Sequence, residues 1–162
     1  MHIISFDIGK CNFAFSIEQF DEKKLEEIKN WYEFGMSEAI NFYEKMGGEK
    51  NFRELTKRFY ENVSRNAVLK PLYPEDDMEG SERRLRLFLE QYWGGPTTYS
   101  EERGHPRLRM RHMKFHISKV EHDAWLQCMH AALIDLDMTE EMKEELWTYF
   151  QLAANSMINQ PS

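Results

Sequence analysis

Cysteine is scarce in this chain: its 162 residues include only Cys11 and Cys128. The two lie far apart and lack the paired spacing of a metal site or a disulfide framework, which predicts free thiols in a reducing, cytoplasmic compartment. No CxxCH run occurs, so covalent attachment of a c-type haem is excluded. No stretch of roughly 18 consecutive apolar residues is present, and nothing reads as a membrane span. The first residues lack the basic region and continuous apolar run of a secretory signal. Positive charge is also short: 21 Lys and Arg stand against 28 Asp and Glu, for a net charge of −7. Such a chain has no global field to gather nucleic acid or an anionic membrane, and neither is expected as a partner. Internal repeats and low-complexity tracts are absent as well.

The chain is 41% hydrophobic and 14% aromatic, with ten Met, eleven Phe, seven Tyr and four Trp. That composition specifies a globular protein with a real core. An excess of aromatic and Met side chains suits a flexible apolar pocket, and it suits an aromatic core equally well.

The pattern changes near Gly35-Met36. Before it, "HIISFDIGKCNFAFSIEQF" reads as two strands around a Gly9-Lys10 turn, and "DEKKLEEIKNW" as a short charged helix. After it the pattern is helical almost to the end, so residues 1–35 form an extension and 36–162 a domain. "SEAINFYEKMGG" reads as a short helix capped by Ser37 and ended by Gly47-Gly48. Phe52, Leu55, Phe59 and Val63 share one helical face, with Tyr60 at its edge. "KPLYPEDDMEG" is turn material broken by Pro71, Pro74 and Gly80. Ser81, Leu85, Phe88, Leu89 and Tyr92 share the next face, which ends at Gly94-Gly95-Pro96. Residues 96–106 read as irregular. "RLRMRH" alternates strictly and could be a strand, whereas Pro106 suits the first turn of a helix. Ser118 and Glu121 make a capping box before a helix whose apolar face is Trp125, Cys128, Met129, Ala132 and Leu136. Thr139, with Glu140 and Glu141, opens a last helix lined by Met142, Leu146, Tyr149, Phe150, Ala153 and Met157.

Within this all-α pattern, "GHPRLRMRHMKF" places His105 and His112 among arginines and methionines. A basic loop can hold phosphate, and a histidine can hold a metal. Spacing alone leaves both open.

The runs "FYEKMGG", "RFYENV", "LYPEDD", "RLRLFLEQYWGGPTTYSEERGHPRLRMRH", "DAWLQCMHAAL" and "AANSMIN" resemble the group II (O-type) truncated haemoglobins across residues 37–160. The resemblance implies a two-over-two helical sandwich and haem b held without covalent links. It implies that His112 is the proximal iron ligand, with its other ring nitrogen donating to a carbonyl. His105 is then structural, opening the short helix that carries His112. Haem propionates are carboxylates that suit the planar fork of arginine, and Arg111 and Arg84 are the candidates, with Tyr99 beside them. Arg83, Arg86, Arg107 and Arg109 are expected to be solvated. Leu85, Phe88 and Leu89 would supply the apolar wall.

The same resemblance puts three donors on the distal side: Tyr60, Tyr73 and Trp125. Ser81 occupies the position where classical globins carry a histidine. Two phenols and an indole aimed at a ligand that gains negative charge imply tight oxygen binding and slow release. O2 and other diatomic gases are the expected ligands. Slow release argues against simple transport and points to redox, nitric oxide or peroxide chemistry. No flavin motif is present, so such turnover would draw on a separate reductase, and no enzyme activity is assigned. A monomer or a homodimer is expected. The alternative is a haem-based gas or redox sensor signalling through the N-terminal extension.

That extension, "IISFDIGKCNFAFSI", weakly resembles the first hairpin of ribonuclease H-like nucleases, including Holliday-junction resolvases, where an aspartate like Asp7 helps bind Mg2+. Such a nuclease needs several carboxylates gathered from a longer domain. The extension is therefore expected to be non-catalytic.

Overall fold

A computed structural model describes residues 5–8, 11–14, 42–74 and 76–160. The expected helix at "DEKKLEEIKNW" and the expected Ser37 cap lie outside the described residues. Strands β1 (Ser5–Ile8) and β2 (Cys11–Ala14) pair antiparallel, with Phe6 opposite Phe13 and Ile8 opposite Cys11. This matches the two strands read from the sequence; Gly9 and Lys10 themselves are outside the described residues. From residue 42 onward the described chain is helical. It divides into two compact units, Met1–Gly48 with Leu87–Pro106, and Glu49–Arg86 with Arg107–Ser162.

In the second unit, α1 (Glu49–Arg65) buries Phe52, Leu55, Phe59 and Val63 completely, the face its spacing predicted. Each such side chain contributes roughly 1.5–3 kcal/mol through burial. A 3-10 turn (Lys70–Leu72) follows, then the first part of α2 (Met78–Tyr92). Gly80 does not break the chain here; it lies in the first turn of α2. A Cβ on it would stand 1.9 Å from Asp77 Oδ1, so glycine leaves room for that carboxylate. Thr56, fully buried on α1, donates from its hydroxyl to Glu82 of α2. Arg86, expected in solvent, is buried instead. Its guanidinium lies between Glu49 (3.5 Å) and Glu82 (3.8 Å), whose charges offset the cost of removing it from water. Arg83, Arg107 and Arg109 are exposed.

The alternating "RLRMRH" is helical: α4 covers Leu108–His112, entered from Arg107 in the left-handed region at φ 42°. Pro106 thus stands two residues before the helix rather than in its first turn. Helix α5 (Lys119–Leu133) starts at the expected capping box, with Ser118 accepting from Val120 N–H and Glu121 accepting from Ser118 N–H at 2.8 Å. Helix α6 (Glu140–Met157) starts at Thr139, whose hydroxyl accepts from Met142 N–H. Helix α1 packs on α5, α5 on α6, and α4 on α6. Asn62 ties the first pair, donating to the Cys128 carbonyl at 3.1 Å. Cys128, Met129, Ala132 and Leu136 are buried as expected, together with Leu146 and Phe150.

In the first unit, residues 42–45 form a helical turn that ends at Gly47 (φ 91°) and Gly48 (φ 62°). Gly48 N–H reaches the Tyr43 carbonyl and Gly47 N–H reaches that of Glu44, the paired bonds of a Schellman stop. Trp93 stacks on Phe42 at 4.3 Å. Helix α3 (Thr98–Arg103) falls within the stretch read as irregular. Tertiary contacts order it: Tyr99 is buried edge-on against Phe88 at 5.6 Å. The Gln91 amide also donates to Ser100 Oγ and accepts from Ser100 N–H. Among the described residues no helix is long and apolar enough to cross a membrane.

Candidate functional site

His112 closes α4. Its Nδ1 lies 2.7 Å from the Leu108 carbonyl, one turn back. A carbonyl only accepts, so Nδ1 carries a proton, and Nε2 is the ring nitrogen left to serve as a ligand atom. The His112 carbonyl is held in turn. The Asn159 side chain donates to it at 3.2 Å and to the Phe115 carbonyl at 3.0 Å, and its Oδ1 accepts from Ile117 N–H at 3.1 Å. Asn159 therefore clasps the whole turn after α4 to the end of α6. The sequence reading gave it no role, although it closes the quoted "AANSMIN". Nothing local marks it, because its partners lie more than forty residues away. His105 lies three residues before α4 and is exposed. Among the described residues there is no cluster of three or more His, Cys, Asp or Glu able to hold a metal ion.

Tyr60, Tyr73 and Trp125 come together from α1, the segment after the 3-10 turn, and α5. The two tyrosine rings meet edge to face at 5.4 Å. Phe59, next to Tyr60, packs on Trp125 at 5.2 Å, and Trp125 packs on Phe150 at 5.9 Å. The Trp125 indole and the Tyr60 hydroxyl both stand close enough to the Tyr73 hydroxyl to act on it through side-chain hydrogen bonding. Both phenols are half-buried as residues, and their hydroxyl ends are strongly desolvated. Burial pushes Tyr73 up to about 12 against the two hydrogen bonds, and pushes Tyr60 above a phenol's usual range. Both stay protonated, and so remain donors, at neutral pH. Cys128 adjoins this group; burial raises its thiol, and the Asn66 amide donates to Sγ at 3.6 Å.

Ser81 is buried on α2, where its Oγ accepts from Arg84 Nη2 at 2.8 Å, while Arg84 Nη1 donates to Asp77 at 2.7 Å. The fork expected to meet a propionate thus fastens the segment after Tyr73 to the start of α2. The positive charge of Arg84 also works against the burial that raises Tyr60. Leu85 and Arg111 are half-buried in this unit. Phe88, Leu89 and Tyr99 are buried in the first unit.

The bacterial-like globin family model matches residues 41–159. The chain is 40% identical over 125 residues to Group 2 truncated hemoglobin YjbI of Bacillus subtilis, covering 77% of this chain and 94% of that protein. Among solved structures, a thermostable hemoglobin from Thermobifida fusca is 54% identical with a TM-score of 0.73, covering 75% of this chain and 98% of that one. The truncated oxygen-avid haemoglobin of Bacillus subtilis is 42% identical with a TM-score of 0.68, over 73% and 98% of the two chains.

Proposed function

Because the chain belongs to the bacterial-like globin family, among the group 2 truncated haemoglobins, we propose that it binds dioxygen through Tyr60, Tyr73 and Trp125 and releases it slowly. The cofactor implied by that membership is haem. His112 fits it, with Nδ1 engaged by the Leu108 carbonyl and Nε2 left as the ligand atom. When bound, haem supplies an iron centre with affinity for diatomic gases. The domain that holds it is 36–162, with 1–35 as an extension.

The observation that carries the reading is the convergence of three donors, with the Tyr60 and Tyr73 rings meeting at 5.4 Å and the Trp125 indole beside Tyr73. A ligand that gains negative charge beside this group meets two phenol O–H groups and an indole N–H, all able to donate. Each such bond contributes on the order of 1–3 kcal/mol, and about 1.4 kcal/mol is tenfold in an equilibrium constant. That agrees with a relative described as oxygen-avid.

Around the cofactor we assign Leu85, Phe88 and Leu89 to apolar contact and Arg111 and Tyr99 to the propionates. Arg84 would reach a propionate only by giving up Asp77. Ser81 is spoken for by Arg84, which leaves the tyrosines and the tryptophan as the ligand's donors.

The test is oxygen release measured by rapid mixing with excess carbon monoxide. Tyr60→Phe and Trp125→Phe should each release oxygen about tenfold faster. Unchanged rates in both variants would overturn the distal assignment.

A further inference from the structure

We propose that the surface formed by residues 107–120 docks an electron-carrier protein with an acidic face. The choice of an electron carrier rests on the proposed slow oxygen release, which points to redox turnover drawing on a separate reductase; the docking surface itself rests on charge and exposure. Arg107, Arg109, Arg111, Lys114 and Lys119 fall in these fourteen residues, and no Asp or Glu does, in a chain whose net charge is −7. Arg107, Arg109, Lys114, His116 and Lys119 are exposed. Lys119 is partly offset by its ion pair with Asp123, and Arg109 is oriented along α6 by its bond to the Ser156 carbonyl at 2.7 Å. Lys114 lies over the Phe115 ring at 5.0 Å.

Apolar groups stand between these cations. Met110 is 64% exposed, Met113 66% and Val120 60%. Exposed methionines set among arginines along the chain are the composition of an adaptable protein interface rather than of a solvated helix face. The charge selects an acidic partner, since like-charged surfaces are rejected at such a patch. The net negative charge of the rest of the chain disfavours an extended polyanion such as nucleic acid or a lipid sheet. Arg111 and Met113 flank His112 in the chain, so a protein seated here comes to rest against the turn that carries the proposed iron ligand.

The test is calorimetric titration of the haem-loaded protein with an acidic [2Fe–2S] ferredoxin, at low and at physiological ionic strength. Binding should weaken as salt rises. It should fall about tenfold in the Arg107→Gln/Lys114→Gln double variant and fall again with Met113→Ser. A Lys50→Gln/Lys57→Gln control on exposed positions of α1 should bind as the unaltered protein does. Three results would overturn the proposal: no binding of the ferredoxin at low salt, equal binding by the double variant, or capture of phosphatidylglycerol vesicles through the same cations with the ferredoxin ignored. The visible spectrum of the same samples reports haem uptake independently. Failure of the functional reading would appear there, and failure of the docking surface only in the titration.

Discussion

Asn159→Ala removes one side chain and opens three hydrogen bonds at once. Its amide donates to the His112 and Phe115 carbonyls and accepts from Ile117 N–H. Each bond contributes about 1 kcal/mol net. The groups are part-buried, so water takes over some of this, and the expected loss is about 2 kcal/mol rather than the full ~3. For a chain of this size that is a fall of roughly 4–8 °C in Tm. In urea the midpoint should drop with no change in m, because the surface exposed on unfolding is unaltered. The backbone bonds from Asn159 and Gln160 to the Ile117 carbonyl remain, so α6 should still end in place. The His112 turn should not stay fixed, and haem should pass faster to an acceptor apoprotein. Asn159→Asp sharpens the test: it can still accept from Ile117, but it sets a carboxylate against two carbonyls and should be at least as damaging as alanine. A midpoint and a haem-transfer rate unchanged in Asn159→Ala would refute the clasp.

Two further outcomes follow from the same geometry. Tyr73 is pushed from the usual phenol value up to about 12 in the folded protein, so above pH ~10 the unfolded chain gives up its proton first. Stability from this group is full below that pH and is lost as pH rises toward 12; urea titrations across that window should show a decline that is reduced in Tyr73→Phe. At Gly95, a Cβ would stand 2.7 Å from Tyr43 Cδ2 and 2.8 Å from the Glu90 carbonyl, which also receives the Gly95 N–H. Gly95→Ala should therefore cost about 1–3 kcal/mol, and a urea midpoint equal to that of the unaltered protein would contradict the close packing.

Where information is local, the chain is legible. The face of Phe52, Leu55, Phe59 and Val63 follows from their spacing alone, and the Ser118–Glu121 box and the Thr139 cap follow from residue type. Legibility fails where a distant partner decides. Helix α3 has no strong periodicity of its own and is ordered by Phe88 and Gln91. Gly80 looks like a breaker until the Asp77 carboxylate is seen in the space it leaves. Arg86 looks solvated until Glu49 and Glu82 neutralise it. The candidate site divides in the same way. Nothing in local spacing joins Tyr60, Tyr73 and Trp125, and only the family resemblance selected them from the other aromatics. Arg84 was selected by the same route, yet its fork lies on Asp77 and Ser81, a pairing that no pattern announced.

The central claim is that His112 presents Nε2 to a haem iron. The most direct measurement is the visible absorption spectrum of the haem-reconstituted protein and of His112→Ala, reduced, with and without O2 and CO. A Soret band that shifts with each gas is expected in the unaltered protein, and it should be disrupted in the variant. A protein that takes up no haem, or a variant whose spectrum is unchanged in every state, would contradict it.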